Sequence, residues 1–246
     1  ELIREYNIKL TDSGIVNLVN ILTNKFPVAQ AKDKFKDCIF IRKHGKDYCI
    51  SKQFREALSD LEFRLNIEAL IDFGIERFKN QYEKKLVEDT PFSLYEKYNY
   101  EQVCQLLEWP KNAVAQNIGG YIYNKETNTC PVFINYHKAD DIQDSIKYED
   151  SFINPFELKA ISKAPRYLHS KDVKRILRST ELDIAMHLFV RKNKLDKSFY
   201  YLGPIKPKGP KYAKQIIMLS GKPAVELEYV LEVPVRDDIY DYIING

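Results

Sequence analysis

The chain has 246 residues, 44% of them hydrophobic and 30% charged, with only 9 Gly and 11 Pro; this excludes a collagenous, low-complexity or disordered chain and leaves enough apolar material for a buried core. No apolar run approaches the ~20 residues of a membrane-spanning helix, so a soluble protein with no membrane partner is expected. The net charge of +3 averages four unlike regions: 17 Lys and Arg against 18 Asp and Glu in residues 1–110, 4 against 7 in 111–158, 16 against 4 in 159–222, and 1 against 6 in 223–246.

In chain order, the first part has helical periodicity almost throughout. Thr11, Asp12 and Ser13 offer N-caps ahead of Ile15, Leu18, Val19, Ile21 and Leu22, whose spacing by three and four makes one apolar face. A second helix is predicted over residues 51–63. A third is predicted over 67–86, where Leu70, Ile71, Gly74, Ile75 and Phe78 form the stripe that should face a core. Glu88, Asp89, Thr90 and Pro91 supply a stop and then a cap with Pro in the first turn. Residues 93–109 give one more helical segment, ending at Trp109 and Pro110, with Trp109 read as an anchor between the two parts of the chain.

After Pro110 the pattern changes. The runs 119–123 and 132–136 flank the polar segment 124–129, which predicts a hairpin. Further strands are predicted over 158–162, 184–191, 198–202, 215–219 and 225–233, with a short basic helix capped by Ser170 and running to Leu177. Seven short strands around one helix suggest an open or closed β-barrel rather than a parallel sheet. The expected fold class is α+β: a helical region over 1–110, then a β-barrel-like DNA-reading domain over 111–246.

Cys38, Cys49, Cys104 and Cys130 form no C-x-x-C pair, which argues against a zinc ribbon or redox dithiol and for reduced thiols in a cytoplasmic protein. There is no Walker A sequence or other nucleotide loop, and the chain begins at Glu1. It is therefore read as a piece of a larger protein.

The run from Tyr98 to Trp109, then Gln116 to Tyr121, Thr127 to Phe133 and Asn135 to Lys138, resembles a bacterial domain family of unknown function found C-terminal to superfamily 2 helicases. Ser145 to Asp150, Ile161 to Lys163, Phe199 to Gly203 and Pro234 to Tyr242 extend the resemblance over about residues 95–246. It implies the architecture of SauUSI-type type IV restriction enzymes, in which a phospholipase-D-like nuclease and a helicase precede a domain that recognises 5-methylcytosine. The implied partners are double-stranded DNA containing 5-methylcytosine and the helicase and nuclease domains of the same chain. No catalytic residue, metal or cofactor is expected in this fragment, ATP and Mg²⁺ belonging to the helicase part. An SRA-like or PUA-like barrel is expected from that function, because those folds hold flipped bases.

Two constellations fit such a role. Lys159, Lys163, Arg166, Lys171, Lys174 and Arg175 cluster around a predicted strand-to-helix junction, and Lys206, Lys208 and Lys211 fall on a Pro/Gly-rich loop over 203–210 and just beyond it. Phosphates along a duplex need several cations from one face, and Ser162 and Ser170 add neutral donors. The bland counterpart is a solvated charged surface, which a net +12 in 64 residues exceeds. The second constellation sets Tyr148 and Asp150 beside Tyr121, Tyr123, Asn135 and Tyr136 as a base pocket, since a flipped cytosine needs aromatic faces and an acceptor for its 4-amino group. Tyrosines in β-proteins are also ordinary core and cross-strand residues.

Asp150, Glu157 and Lys159 also form the Asp…Glu-x-Lys pattern of Mg²⁺-dependent nucleases. His44, His137, His169 and His187 have no metal-ligand spacing. Two further readings stay open at this point: a module that docks a nuclease onto a helicase, and a Mg²⁺-dependent nuclease domain.

Overall fold

The computed structural model describes residues 11–45, 47–82, 90–113, 120–136, 150–193 and 195–245. They fall into two compact units: Glu1–Leu86 with Cys104–Val114, and Val87–Val103 with Ala115–Gly246.

In the first unit, α1 (Asp12–Leu22) starts as expected, with the Thr11 hydroxyl accepting from the Gly14 N–H at 2.9 Å. Its polar side is tied to the 104–114 segment. Asn17, 6% exposed, donates to the Trp109 carbonyl, and Asn20 donates to that of Pro110 at 2.8 Å. Trp109 is buried, 3% exposed.

After α2 (Ala29–Lys34) the chain forms an antiparallel hairpin, β1 (Ile41–His44) and β2 (Asp47–Ile50), with Ile41 opposite Ile50. This hairpin interrupts a part that was expected to be helical almost throughout. The helices that follow also divide differently: α3 (Lys52–Ala57) and α4 (Leu61–Arg77) break at Asp60, whose carboxylate accepts from the Phe63 N–H at 2.8 Å and starts a new helix. A π-helical turn, Phe78–Tyr82, ends α4. Of the predicted apolar stripe, Leu70 is 65% and Ile71 54% exposed.

The second unit is built on one mixed sheet in the order β4-β7-β8-β10-β6-β5, with β3 (Lys97–Tyr98) on β8 and β9 (Lys214–Ile217) on β10. The strands are β4 (Thr129–Asn135), β5 (Ser151–Asn154), β6 (Glu157–Ile161), β7 (Ala185–Arg191), β8 (Phe199–Pro207) and β10 (Pro223–Leu231). Among the described residues the strand path is open, not closed into a barrel, and β4 and β7 run parallel. The predicted 119–123 strand is reduced to isolated bridges, Tyr121 with Val132 and Asn124 with Thr129.

Both faces of the sheet centre are buried, which is why β4 and β7 read as continuous apolar runs. One face carries Val132, Leu188, Leu202 and Leu227 against α6 (Lys171–Leu177) and α7 (Asp237–Ile244). The alternate residues Phe133, Phe189 and Tyr201 form an aromatic cluster with Phe92 and Tyr98, including a stacked Phe133–Phe189 pair at 5.2 Å. Ahead of α5 (Tyr100–Leu106), Asn99 and Gln102 exchange side-chain to main-chain hydrogen bonds at 2.9 Å as a capping box.

Candidate nucleic-acid interface

The basic stretch turns a corner between β6 and α6. At the strand's exit, Ser162 accepts from the Val225 N–H at 2.9 Å and donates to the Lys163 carbonyl at 3.0 Å, so its buried hydroxyl serves the fold rather than a phosphate. Ser170 caps α6 by its extended backbone only, because its hydroxyl accepts from the Tyr167 N–H at 2.9 Å.

Asp172, in the first turn of α6, organises the corner. Its Oδ2 accepts from Arg166 Nε at 2.5 Å and from the Tyr121 hydroxyl at 3.1 Å. Burial pushes the Asp172 carboxyl up, but the Arg166 and Tyr121 hydrogen bonds outweigh it and hold the group below the usual carboxylate range. Burial raises the Tyr121 hydroxyl, and the neighbouring Asp172 charge adds to that, so it stays a donor.

The two tyrosine rings here face cations. Lys163 Nζ lies 5.3 Å from the Tyr121 centroid and the Arg175 guanidinium 4.4 Å from that of Tyr123. Burial lowers the Lys163 ammonium, and Arg166 adds to the effect while Asp172 opposes it. Between these groups lies a cleft of about 110 Å³, with Cys130, Ile176, Ile184 and Met186 as its apolar floor. That is several times the ~10–15 Å³ that one water needs. The Cys130 thiol is fully buried and pushed up to about 12 by that burial, which makes it floor and not nucleophile.

Asp150 stands at a second recess that shares Tyr121 and also meets Gly120 and Ser162, with room for about one water, near 10 Å³. Its Oδ1 accepts from the Ile161 N–H at 2.7 Å. Asn135 and Tyr136 are not gathered there. Asn135 accepts from Arg191 Nε, and Tyr136 stacks on Phe152 at 5.7 Å. Tyr148 and His137 lie outside the described residues.

The predicted backbone cations divide into two sets. Lys159 faces Glu226 at 4.0 Å, Lys206 pairs with Glu232 at 2.6 Å, and Lys208 meets Glu157 at 2.9 Å and Glu228 at 3.4 Å. Lys206 lies in β8, not in a loop. Lys171 and Lys174 are exposed on α6 and have no ion pair among the described residues, and Lys211 lies 4.8 Å from the Tyr212 ring.

The nuclease-like pattern is not assembled. Antiparallel β5 and β6 put Asp150 beside Ile161 and Glu157 at the other end of β6, about 14 Å along a strand at ~3.4 Å per residue, too far for one metal ion. Among the described residues no group of three His, Cys, Asp or Glu could hold a metal. The sequence reading missed Asp172, Ser179 and the apolar floor. Tyr121 and Asp172 are 51 residues apart, and no local pattern joins them.

Residues 92–243 match a family model described as "Domain of unknown function (DUF3427)". The chain belongs to the DUF3427 family. Residues 1–83 of this DUF3427 chain match a second model, "Domain of unknown function (DUF8090)". No curated protein matches it. Solved structures similar to it include the SUVH5 SRA domain in complex with hemi-methylated CG DNA, at 12% identity, TM-score 0.40, over 62% of this chain and 98% of that one. The SUVH5 SRA domain bound to fully hydroxymethylated CG DNA aligns at 11% identity, TM-score 0.39, over 62% and 95%. Arabidopsis thaliana SUVH6 in complex with SAM aligns at 11% identity, TM-score 0.39, over 91% of this chain and 38% of that one.

Proposed function

We propose that this DUF3427 chain is the non-catalytic DNA-binding specificity region of an ATP-dependent type IV restriction endonuclease, and that it recognises 5-methylcytosine in double-stranded DNA by base flipping. The observation that carries the reading is the corner between β6 and α6. There Lys163 lies over the Tyr121 ring and Arg175 over that of Tyr123, with Lys171 and Lys174 exposed on α6, and Tyr121 also lines the recess that holds Asp150. Cations on one edge hold the phosphates, and a carboxylate next to an aromatic wall offers an acceptor to the 4-amino group of an extruded cytosine. A cytosine exceeds the roughly one-water recess, so on this reading the recess opens as the base enters. The helicase and nuclease of the same chain are the partners that the family resemblance implies.

Binding of methylated and unmethylated duplexes of identical sequence, measured at one fixed salt concentration, tests the reading. Tighter binding of the methylated duplex is expected, and Asp150→Ala should remove that difference while leaving the common affinity. Equal affinities of the unaltered chain for both duplexes would sink methyl recognition and leave generic DNA binding.

A further inference from the structure

We infer that the loop between β6 and α6 carries a second nucleic-acid site, separate from the recess of Asp150: an aromatic platform at Tyr167 that takes an unpaired base of a DNA strand. Tyr167 is 46% exposed, and its ring stacks on that of His169, also exposed, at 5.2 Å between centroids and 10° from parallel. The face of Tyr167 turned away from His169 meets no other ring and no cation among the described residues. Other tyrosine rings of this unit are capped: Arg236 lies over Tyr95, Lys97 over Tyr200, Lys192 over Tyr242 and Lys208 over Tyr212. An aromatic face that is open to water and backed by a second ring accepts a base, because every base brings a π-face of its own.

Hydrogen bonds hold this loop on both sides. The Arg166 N–H donates to the Pro223 carbonyl at 2.8 Å and the Leu168 N–H to Gln215 Oε1 at 3.1 Å. Gln215 Nε2 donates in turn to the carbonyls of Arg166 at 3.1 Å and Ala224 at 2.7 Å. Within the loop the Tyr167 N–H donates to the Ser170 hydroxyl and the Ser170 N–H to the Tyr167 carbonyl, both at 2.9 Å. The platform is therefore ordered before a ligand arrives, and a base that stacks on it does not bear the cost of fixing the loop. Ile217, two residues along β9 and so on the same face as Gln215, is 56% exposed, and Leu168 is 39% exposed, which gives a sugar apolar ground. Lys222, next to Pro223, is exposed and has no ion pair among the described residues, leaving its ammonium for the adjoining phosphate. Inside a duplex both faces of a base are covered by its neighbours, so the base that reaches Tyr167 is an unpaired one. None of these contacts enters the proposed reading of 5-methylcytosine, and the platform stands without it.

Fluorescence anisotropy of the whole chain at one salt concentration tests this with three unmethylated duplexes of one sequence: fully paired, with one bulged thymine, and with an abasic residue in the bulge. Expected is binding of the thymine bulge about tenfold tighter than of the paired duplex, a preference that the abasic bulge lacks. Tyr167→Ala should abolish the preference and Tyr167→Phe retain it, with the affinity for the paired duplex unchanged in both as the sign that the fold is kept. Equal binding of the thymine bulge and the paired duplex, equal binding of the two bulges, or a preference that survives Tyr167→Ala overturns the platform. The duplexes carry no methyl group, so failure here is distinct from failure of methyl recognition.

Discussion

His187 shows what burial does to a single ionisable side chain in this fold. It sits on β7 at 4% exposure, with Nδ1 3.2 Å from the Tyr201 hydroxyl and its ring 5.4 Å from that of Phe92. Burial holds its pKa down to about 4, with Glu232 opposing, so the folded ring is neutral. An unfolded histidine titrates near pH 6.5. Above that pH the group adds no pH dependence; as pH falls from 6.5 towards 4 the unfolded chain takes up a proton that the fold refuses, and stability is lost. The full window is worth about 3 kcal/mol, and about 2 kcal/mol of it lies above pH 5. Urea denaturation at pH 7 and pH 5 should therefore show His187→Asn less stable at pH 7 but losing about 2 kcal/mol less than the unaltered chain on acidification. A mutant penalty that is the same at both pH values would mean that His187 is not held neutral by the core. In the sequence His187 is one of four scattered histidines, and only its place in an apolar run hinted at this. The same applies to Tyr121, read as a base-pocket wall, whose hydroxyl is fixed by an aspartate that no local spacing connects to it.

Strands β7 and β8 make the element-scale case. Their register shifts between Leu188 and Phe189, where Gly203 takes φ +102°, and a Cβ there would lie 3.3 Å from Leu94 Cδ2. Gly221, before β10, takes φ +74° but has open space around it. Both positions strain an alanine, and only the first also crowds it. Gly203→Ala should cost about 1–3 kcal/mol and Gly221→Ala about 1 kcal/mol in denaturant melts. Equal penalties would show that the bulge tolerates a side chain. Strands of this kind were legible in the sequence because both faces of the sheet are covered and β7 is a solid apolar run. The short basic helix was legible from Ser170 and the run after it. The hairpin β1–β2 was not, since Arg42, Lys43, His44 and Asp47 carry no apolar alternation and the strands lie mostly exposed. Nor was the parallel pairing of β4 with β7, a contact between segments more than fifty residues apart. The choice between an open and a closed barrel was not legible either: counting strands gives no edge-to-edge order, and the order found among the described residues is an open path ending at β4 and β5.

Over the whole molecule, the basic stretch of residues 159–222 and the acidic segment after it are folded against each other. Antiparallel β10 lies between β8 and β6, and its Glu226 and Glu228, with Glu232 just beyond its end, stand alongside Lys159, Lys206 and Lys208. Three of the lysines that look like phosphate contacts in the sequence are thereby matched by carboxylates, Lys208 by two, and the hydrogen bonds to Glu157 and Glu228 raise its pKa. Lys171, Lys174 and Arg175 on α6 have no carboxylate partner among the described residues and remain as cations that DNA would meet. Counterion release makes this measurable, because each phosphate neutralised contributes about −0.9 to the slope of log affinity against log salt. Replacing Lys171 and Lys174 by Gln should weaken binding to methylated and unmethylated duplexes alike and flatten that slope by about 2. Replacing Lys206 and Lys208 by Gln should leave the slope unchanged and lower the melting temperature instead, since Glu157 and Glu228 would be left without the ammonium between them. A slope that responds equally to both pairs would place the DNA across β8 and β10 and would mean that the carboxylates there give way to phosphates.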